Sequence, residues 1–306
     1  MKIYSDLHSF KKIKNPIVTT GTFDGVHLGH QKIINRVKEI AKNENGESVL
    51  LTFFPHPRMV LFPDDNDLKL ICSQEEKIEL LEKTGAEHLI IYPFTKEFSR
   101  MTAVQYVRNI LVNKIGLKKI VVGYNHYFGR NREGSFKDLI QFGHSYNFEV
   151  EEIPAIDIEK KDVSSTKIRN AILGGDVKTA NLLLGHPYSL RGEVVEGNKN
   201  GGKIGFPTAN ILVKEKYKLI PADGVYAVDV AFNNNSYKGM MNIGVRPTFE
   251  NSEHTIEVHI FDFEEPIYYQ ILTIYFKDKI RDEKKFNSAE ELKNQLIQDK
   301  LIAEKS

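Results

Sequence analysis

The pattern of apolar and polar residues changes character once along the chain. Between residues 17 and 185, short β-branched or aromatic runs alternate with longer segments whose apolar residues recur at helical spacing. This alternation is typical of an α/β unit built on a parallel sheet. The predicted strands are 17–20, 49–53, 89–92, 120–122 and 148–153, and two short helices at about 165–173 and 176–184 complete this half.

Residues that start and end helices support this interpretation. Thr102 and Gln105 have the spacing of a capping box, in which each side chain bonds the other residue's backbone N–H. Gly85 and Gly116 follow helical segments, where a left-handed residue commonly ends a helix.

After His186-Pro187 the helical spacing disappears, and apolar and polar residues alternate between frequent Gly and Asn. The predicted strands are about 189–196, 209–213, 224–232, 236–243, 255–263 and 267–276. Six short strands favour a closed antiparallel barrel, because closure removes exposed sheet edges. A final helix is predicted to begin at Ser288. We therefore expect a Rossmann-like α/β domain over residues 1–185 and a six-stranded barrel with a C-terminal helix over 186–306.

Composition and charge narrow the class of protein. The 306 residues include 42 Lys+Arg and 41 Asp+Glu, a net charge of +1, which excludes a basic protein that binds nucleic acid by bulk electrostatics. The single cysteine, Cys72, cannot form an internal disulfide, and neither a signal peptide nor a membrane-spanning apolar run is visible. These features predict a cytoplasmic protein that binds neither nucleic acid nor membranes.

The first candidate site is the segment GTFDGVHLGH, residues 21–30, where the first strand passes to the first helix. Unpaired N–H groups and the helix dipole at such a position attract polyphosphate, so Gly21, Thr22, Phe23 and Asp24 are candidate ATP-binding residues. Because His27 and His30 lie three residues apart, they share one face of the first turn. Both can donate hydrogen bonds to a phosphate that gains charge during reaction. The alternative is a pair of ordinary capping and packing histidines.

A segment of hydroxyl and basic residues, DVSSTKIR at 162–169, opens another predicted helix. Arg169 can pair with phosphate oxygens, while Ser165 and Thr166 cap the helix. The alternative is an N-cap followed by a solvated basic face. Together with the HxGH turn, this segment resembles the nucleotidyltransferase superfamily, relatives of the class I aminoacyl-tRNA synthetases. The resemblance implies that the two motifs grip ATP while an acceptor anion attacks its α-phosphorus.

Two loops between these motifs are candidate contributors to the same site. FPHP at residues 54–57 follows the second strand and carries His56 at the edge where open α/β sheets bind ligands. The loop from Gly123 to Gly134, which includes Asn125, places aromatic residues beside arginines. That composition suits stacking on a planar ring and neutralising phosphate, although a turn histidine and ordinary loop packing remain alternatives.

The second candidate site is a Gly/Asn-rich segment from Gly197 to Asn210, called the flap below. Such a loop can fold over the phosphates of ATP, which makes Gly197, Lys203 and Gly205 candidate nucleotide-binding residues. The Thr208 hydroxyl and the Asn210 carboxamide are hard oxygen ligands suited to Mg²⁺ when phosphates complete its coordination. The alternative is a hairpin connection that needs glycine.

The strand IEVHIFDF, residues 256–263, places Glu257 on one face together with His259, Phe261 and Phe263. A carboxylate beside aromatic residues on a barrel face is a candidate general base. The alternative is a solvated strand glutamate.

Seven motifs resemble, in order, the bacterial bifunctional riboflavin kinase/FAD synthetases: GTFDGVHLGH, SSTKIR, GFPTAN, GVYAVDV, NIGVRPTF, IEVHIFDF and IRDEKKFNSAEEL. The resemblance implies an N-terminal FMN adenylyltransferase and a C-terminal riboflavin kinase, with ATP as co-substrate, Mg²⁺ as cofactor, and FMN and FAD as products. It implies that Glu257 activates the riboflavin hydroxyl, and that His56, Asn125 and Arg281 bind flavin.

Two segments depart from the family pattern. Asn125-His126-Tyr127-Phe128-Gly129 stands where many members carry Asp-Phe-x-Phe-Gly, and Gly201-Gly202 stands where many carry Gly-Arg. Other interpretations are retention of one of the two activities, a nucleotidyltransferase with a different acceptor, or a flavin- or RNA-binding module without catalysis. The near-zero net charge argues against the RNA-binding alternative.

Overall fold

The computed structural model describes residues 1–64, 68–124, 126–153, 157–158, 161–197, 200–247 and 252–306. These residues form two units. The first contains Met1–Lys69 and Gln74–Ser164, and the second contains Leu70–Ser73 and Ser165–Ser306. Among the described residues, no helix combines the length and the apolar character that a membrane span requires.

The first unit is built on a parallel sheet. Its strands are β1 (Lys2–Tyr4), β2 (Pro16–Thr20), β3 (Glu47–Phe54), β4 (His88–Pro93), β5 (Lys119–Gly123) and β6 (Glu149–Ile153). They lie in the order β1-β4-β3-β2-β5-β6, and every pair is parallel. The predicted parallel sheet is confirmed, with β1 as an addition. This three-residue strand, Lys2–Tyr4, is too short for its pattern of residues to predict it.

Helices cover both faces of this sheet. They are α1 (Leu28–Asn43), α2 (Pro57–Leu61), α3 (Gln74–Lys83), α4 (Lys96–Ser99), α5 (Ala103–Tyr106) with its π-helical continuation Val107–Ile115, and α6 (Phe136–Tyr146). A 3₁₀ turn spans Arg130–Arg132, and β7 (Asp157–Ile158) pairs with β8 (Lys161–Asp162). Val18 and Leu51 are buried in the apolar cluster on one face, whereas Ile17 and Leu50 are buried on the other. Burial on both faces is what a parallel sheet requires.

The predicted helix-end signals are present. Thr102 and Gln105 form a reciprocal capping box at the start of α5. Gly116, which ends the π-helical segment, has a φ of 71°, and Gly85, which follows α3, has a φ of 74°. Glycine adopts this left-handed conformation without the steric cost of a Cβ atom.

The second unit contains an antiparallel barrel. Its elements are α7 (Ser165–Leu173), α8 (Val177–Leu184), β9 (Ser189–Val195), α9 (Asn200–Lys203), β10 (Ala209–Leu212), β11 (Gly224–Phe232), β12 (Asn235–Pro247), β13 (Ser252–Ile260), β14 (Ile271–Arg281) and α10 (Ala289–Lys305). Within the described residues, six strands close in the order β10-β13-β12-β11-β14-β9. The predicted barrel and terminal helix are therefore confirmed.

Several predicted strand boundaries in the barrel are wrong. The strand predicted at about 236–243 continues to Pro247. The strand predicted to run to residue 263 ends at Ile260, and Asp262 beyond it has a φ of 52°. The strand predicted at 267–276 begins at Ile271 and continues to Arg281. The N–H of Gln270 donates to the Ile267 carbonyl (3.2 Å), and Tyr269 has a φ of 64°, so a turn occupies the predicted strand start.

The helices α7 and α8 pack within the second unit. The Asn181 side chain on α8 donates to the Phe276 carbonyl of β14 (2.8 Å), and Lys178 pairs with Asp278 (2.7 Å). The units therefore divide between Ser164 and Ser165. The assignment of separate activities to residues 1–185 and 186–306 stays a prediction.

The segment Leu70–Ser73 belongs to the second unit although its neighbours in sequence belong to the first. Leu70 N donates to the Tyr217 carbonyl (2.7 Å), and Leu219 N donates to the Leu70 carbonyl (2.9 Å). Buried Lys218 also donates to the Ile71 carbonyl (2.7 Å). Backbone pairing thus ties a short crossing segment to the chain just before β11.

A buried ion pair fixes the terminal helix. Asp299 of α10 is completely buried, and both of its carboxylate oxygens accept from Arg281 Nε, at 3.1 and 3.0 Å. Gln295 adds a 2.9 Å hydrogen bond to the same carboxylate. Because a buried carboxylate is costly without partners, this network holds α10 in one register on β14.

Asp299→Ala should therefore destabilise the barrel unit by about 3 kcal/mol or more, because it leaves the Arg281 guanidinium without its carboxylate partner. Urea unfolding followed by circular dichroism measures the change. Glu290→Gln, an exposed acidic position at the start of the same helix, is the matched control. Equal stability of the Asp299→Ala and Glu290→Gln proteins would contradict the structural role of the pair.

Candidate active sites

The turn between β2 and α1 has an unusual backbone. Phe23, Gly25 and Val26 have φ angles of 49°, 80° and 41°, and the chain then enters α1 with His27 as its N-cap. The His27 side chain accepts from the N–H of His30 at 3.4 Å. Positive φ values at two non-glycine residues turn the chain sharply at the end of a buried strand. Consequently, the turn places the start of α1 at the carboxyl end of β2.

The two predicted histidines meet as a stacked pair. Their ring centroids are 3.7 Å apart with an interplanar angle of 17°, and Phe23 contacts the His30 ring edge-on at 5.3 Å. A Cβ atom at Gly29 would lie 3.0 Å from the His27 ring, so glycine leaves room for this stack. The prediction that His27 and His30 share one face of the first turn is confirmed.

His30 is held neutral by its surroundings. Burial, followed by the neighbouring His27 and Lys77, lowers the pKa of His30 well below its usual range. Its Nδ1 atom is buried and has no hydrogen-bond partner among the residues that the structure describes. A buried polar atom without a partner is costly, so His30 Nδ1 is suited to bind a ligand.

Lys77 was missed by the sequence analysis. This buried lysine of α3 lies with its Nζ 3.3 Å from the Thr22 carbonyl and 3.5 Å from Thr52 Oγ1. Lys77 lies with Leu81 on the buried face of α3, which becomes apparent only in the folded structure. Lys77 therefore adds a positive charge beside the turn predicted to bind ATP.

The four predicted ATP-binding residues of the turn lie together. Gly21 N donates to the Leu51 carbonyl (3.0 Å), which continues the pairing of β2 with β3. Thr22 follows beside Lys77, while Phe23 and Asp24 are buried. The other three predicted residues, Ser165, Thr166 and Arg169, belong to α7 in the second unit. Because α7 begins at Ser165, Ser165 and Thr166 lie inside its first turn instead of capping it from outside.

Of the two residues of the first domain that were predicted to bind flavin, the structure describes only His56. His56 is the N-cap of α2, and its side chain accepts from Arg58 N at 3.3 Å. Asn125 lies outside the described residues. Its neighbour His126 packs beside the Phe128 ring at 5.9 Å, and burial together with Arg132 lowers the pKa of His126 to about 4. The loop therefore holds a second neutral histidine.

The barrel site centres on a contact between two predicted residues. Thr208 Oγ1 donates to Glu257 Oε2 at 3.0 Å. Asn210 of β10 lies directly opposite Glu257 of β13, so the two side chains share one face of the barrel. The structure thus brings both proposed magnesium ligands to the proposed base. Asn242 of β12 is opposite Glu257 on its other side, which adds a polar neighbour that the sequence analysis did not identify.

The described residues of the flap pack tightly at two glycines. A Cβ atom at Gly197 would lie 2.0 Å from the Asn210 carboxamide, and one at Gly201 would lie 2.2 Å from the Phe206 carbonyl. Gly202, by contrast, has open space around its missing Cβ, and Gly205 has a φ of 87°. Lys203 ends α9. The glycines of the flap therefore serve both close packing and chain reversal.

Arg281, predicted to bind flavin, forms the ion pair with Asp299 described above and lies 5.6 Å from the Phe286 ring. These contacts give the positively charged Arg281 side chain a structural role at the end of β14. Flavin binding by Arg281 stays a prediction.

Comparisons with known proteins cover the whole chain. The FAD synthetase family model matches residues 9–167, and the riboflavin kinase family model matches residues 184–306. A bifunctional riboflavin kinase/FMN adenylyltransferase from Buchnera aphidicola is 37% identical, covering 100% of this chain and 98% of the relative. One from Listeria monocytogenes is 39% identical, covering 93% of this chain and 90% of the relative.

A solved structure described as a macrolide-efflux protein from Streptococcus pneumoniae is similar over nearly the same length. It is 35% identical, with a TM-score of 0.90, and covers 99% of this chain and 98% of its own. The family models, the full-length relatives and the two folded units agree with one another. The chain therefore belongs to the family of bifunctional riboflavin kinase/FMN adenylyltransferases, with an FAD synthetase domain followed by a riboflavin kinase domain.

Proposed function

We propose that the two sites carry out consecutive steps, with the residues named above in specific roles. The barrel site transfers the γ-phosphoryl group of ATP to riboflavin, which yields FMN and ADP. The first site transfers the adenylyl group of another ATP to FMN, which yields FAD and pyrophosphate. What supports this proposal is that one chain holds both the Thr208–Glu257 contact and the stacked His27–His30 pair.

Adenylyl transfer needs charge stabilisation more than proton removal. The phosphate of FMN is already an anion, so its oxygen can attack the α-phosphorus while the bond to pyrophosphate breaks. His27 and His30 donate hydrogen bonds to the oxygens that gain charge, and Lys77 adds a positive charge beside Thr22. Gly21, Thr22, Phe23 and Asp24 form the turn that receives ATP, and Ser165, Thr166 and Arg169 bind its phosphates.

Phosphorylation of riboflavin has a different requirement. The ribityl hydroxyl is neutral, so its oxygen bonds to the γ-phosphorus as its proton passes to the Glu257 carboxylate and ADP leaves. A carboxylate has about four acceptor positions, so Glu257 can accept this proton while it retains the bond from Thr208. Gly197, Lys203 and Gly205 of the flap hold the nucleotide.

Mg²⁺ fits the barrel site on the chemistry of its donors. The Thr208 hydroxyl and the Asn210 carboxamide are neutral hard oxygen ligands, which suit Mg²⁺ when nucleotide phosphates complete the coordination. Among the described residues, no group of three or more His, Cys, Asp or Glu side chains could hold a metal ion. When bound, the ion would neutralise charge on the transferred phosphoryl group.

Three further assignments belong to the proposal. His56, Asn125 and Arg281 bind flavin, and the activities divide between residues 185 and 186. The reactions take place in the cytoplasm, where a chain with one buried cysteine and no internal disulfide is suited to a reducing environment.

His30→Ala should reduce FAD formation from FMN by a factor of about 10²–10³, because it removes a hydrogen-bond donor to transition-state charge. FMN formation from riboflavin should be unchanged. Chromatography of the flavins measures both activities. His144→Ala, at an exposed position of α6, is the matched control. An equal loss of both activities in a folded His30→Ala protein would contradict separate sites.

Acidification should destabilise the first unit. Unfolded histidine takes up a proton near pH 6.5, whereas burial keeps His30 and His126 neutral in the folded state. As the pH drops, the unfolded state therefore binds protons at a higher pH than the folded state. The free energy of unfolding falls as the pH drops from about 6.5 towards 4. The loss from His126 should reach about 1–2 kcal/mol at pH 5. Urea unfolding at pH 7 and pH 5 measures it, and an identical pH dependence in His126→Asn would refute it.

Glu257→Gln should lower riboflavin kinase turnover by about 10²–10⁴, because the amide can still accept from Thr208 but cannot take the ribityl proton. Riboflavin binding, and adenylylation of added FMN, should be close to wild type. Steady-state assays of each half-reaction measure the effect, with Glu265→Gln at an exposed position as control. Retention of most kinase turnover would show that Glu257 is not the base.

A further inference from the structure

The two residues before β10 lack the support of a strand ladder. Among the described residues, β10 and β13 pair at Ala209 with Val258 and at Asn210 with Glu257. Pro207 and Thr208 precede this pairing, and proline has no N–H to donate. The backbone that carries the Thr208 hydroxyl must therefore be held by other contacts.

Two side chains of β13 supply those contacts. Glu257 accepts from Thr208 Oγ1 (3.0 Å), and His259 Nδ1 lies 2.7 Å from the Pro207 carbonyl oxygen. A carbonyl can only accept, so the proton of this bond lies on His259 Nδ1. Because Glu257 and His259 are two residues apart on one strand, they point to the same face and grip successive residues of the flap.

The His259 ring is itself fixed. It is buried between Phe206, at 5.2 Å between ring centroids, and Phe261, at 5.5 Å. Phe206 N donates to the Gly201 carbonyl (2.9 Å), which ties the same aromatic cluster to the α9 turn of the flap. A rotation of His259 would disturb both neighbouring rings, so its Nδ1–H is a rigid donor.

We propose that His259 is a positioning residue of the kinase site, whose Nδ1–H holds the Pro207 carbonyl and thereby places the Thr208 hydroxyl beside Glu257. This inference rests on the proposed kinase function of the barrel. Without the hydrogen bond, Pro207 and Thr208 gain conformational freedom. The Thr208 hydroxyl then spends less time in the position from which it can bind the Mg²⁺-nucleotide complex. The expected defect lies in nucleotide binding and in kinase turnover.

Two substitutions separate the hydrogen bond from the ring. His259→Phe keeps an aromatic ring between Phe206 and Phe261 but has no donor. His259→Asn loses the ring, yet its Nδ2 is the same number of bonds from Cα as the histidine Nδ1. The primary measurement is the Kd for Mg-ADP by titration calorimetry, which requires no turnover. The KM for ATP, the kinase kcat and the FAD yield from added FMN are measured beside it.

His259→Phe should raise the Kd for Mg-ADP about three- to tenfold, as expected for the loss of one hydrogen bond. Its KM for ATP should rise and its kinase kcat should fall, while FAD formation from added FMN stays at the wild-type level. His259→Asn should restore Mg-ADP affinity to within about twofold of wild type. If the phenylalanine variant does not fold, His259→Ala replaces it, because alanine and asparagine also differ in the donor.

Wild-type affinity for Mg-ADP in the donor-less variant would overturn the proposal. Equal losses in the donor-less variant and in His259→Asn would also overturn it, because ring packing would then position the segment. Failure of the wild-type protein to convert riboflavin to FMN would count against the kinase function instead. The Mg-ADP titrations would still decide the role of His259 in that case.

Discussion

Both sites depend on hydrogen-bonded strand pairing, which leaves little freedom in where a side chain lies. In the first unit, pairing of β2 with β3 continues through Gly21 N and the Leu51 carbonyl, so the turn begins at the carboxyl edge of the sheet. In the barrel, the register of β13 fixes Glu257 opposite Asn210 and Asn242. A shift of one residue would move Glu257 to the opposite face. Backbone hydrogen bonding therefore fixes the positions of the side chains at both sites.

The two sites handle charge in opposite ways. In the turn between β2 and α1, hydrogen-bond donors lie at the start of a helix, with neutral His30 and Lys77 among them. This arrangement suits the phosphate of FMN, which is already an anion and needs no base to become a nucleophile. The barrel instead places a carboxylate against a hydroxyl, which suits a substrate that must lose a proton. The stacked histidines lie in the first unit, and the Thr208–Glu257 contact lies in the second.

Periodicity and motif position predicted much of this arrangement. The parallel sheet, the barrel, the shared face of His27 and His30, and the glycine after the π-helical segment all follow from local rules. Lys77 was missed because its role arises when α3 packs beside Thr22, which lies 55 residues earlier. The boundary errors near residues 262 and 269 arose because the alternation of apolar and polar residues does not reveal that Asp262 and Tyr269 adopt positive φ angles. The ion pair between Arg281 and Asp299 could not be predicted from local patterns either, because it forms only when α10 packs on the barrel.

The family to which the chain belongs and its two candidate sites together mean that this chain converts riboflavin to FAD in two steps. The most direct measurement incubates the purified protein with riboflavin, ATP and Mg²⁺ and follows flavins by chromatography and the nucleotide products in parallel. FMN and ADP should appear first, and FAD and pyrophosphate should then form as FMN is consumed. Formation of neither flavin product would contradict both proposed activities. Accumulation of FMN without FAD would contradict the proposed adenylyltransferase activity of the first site.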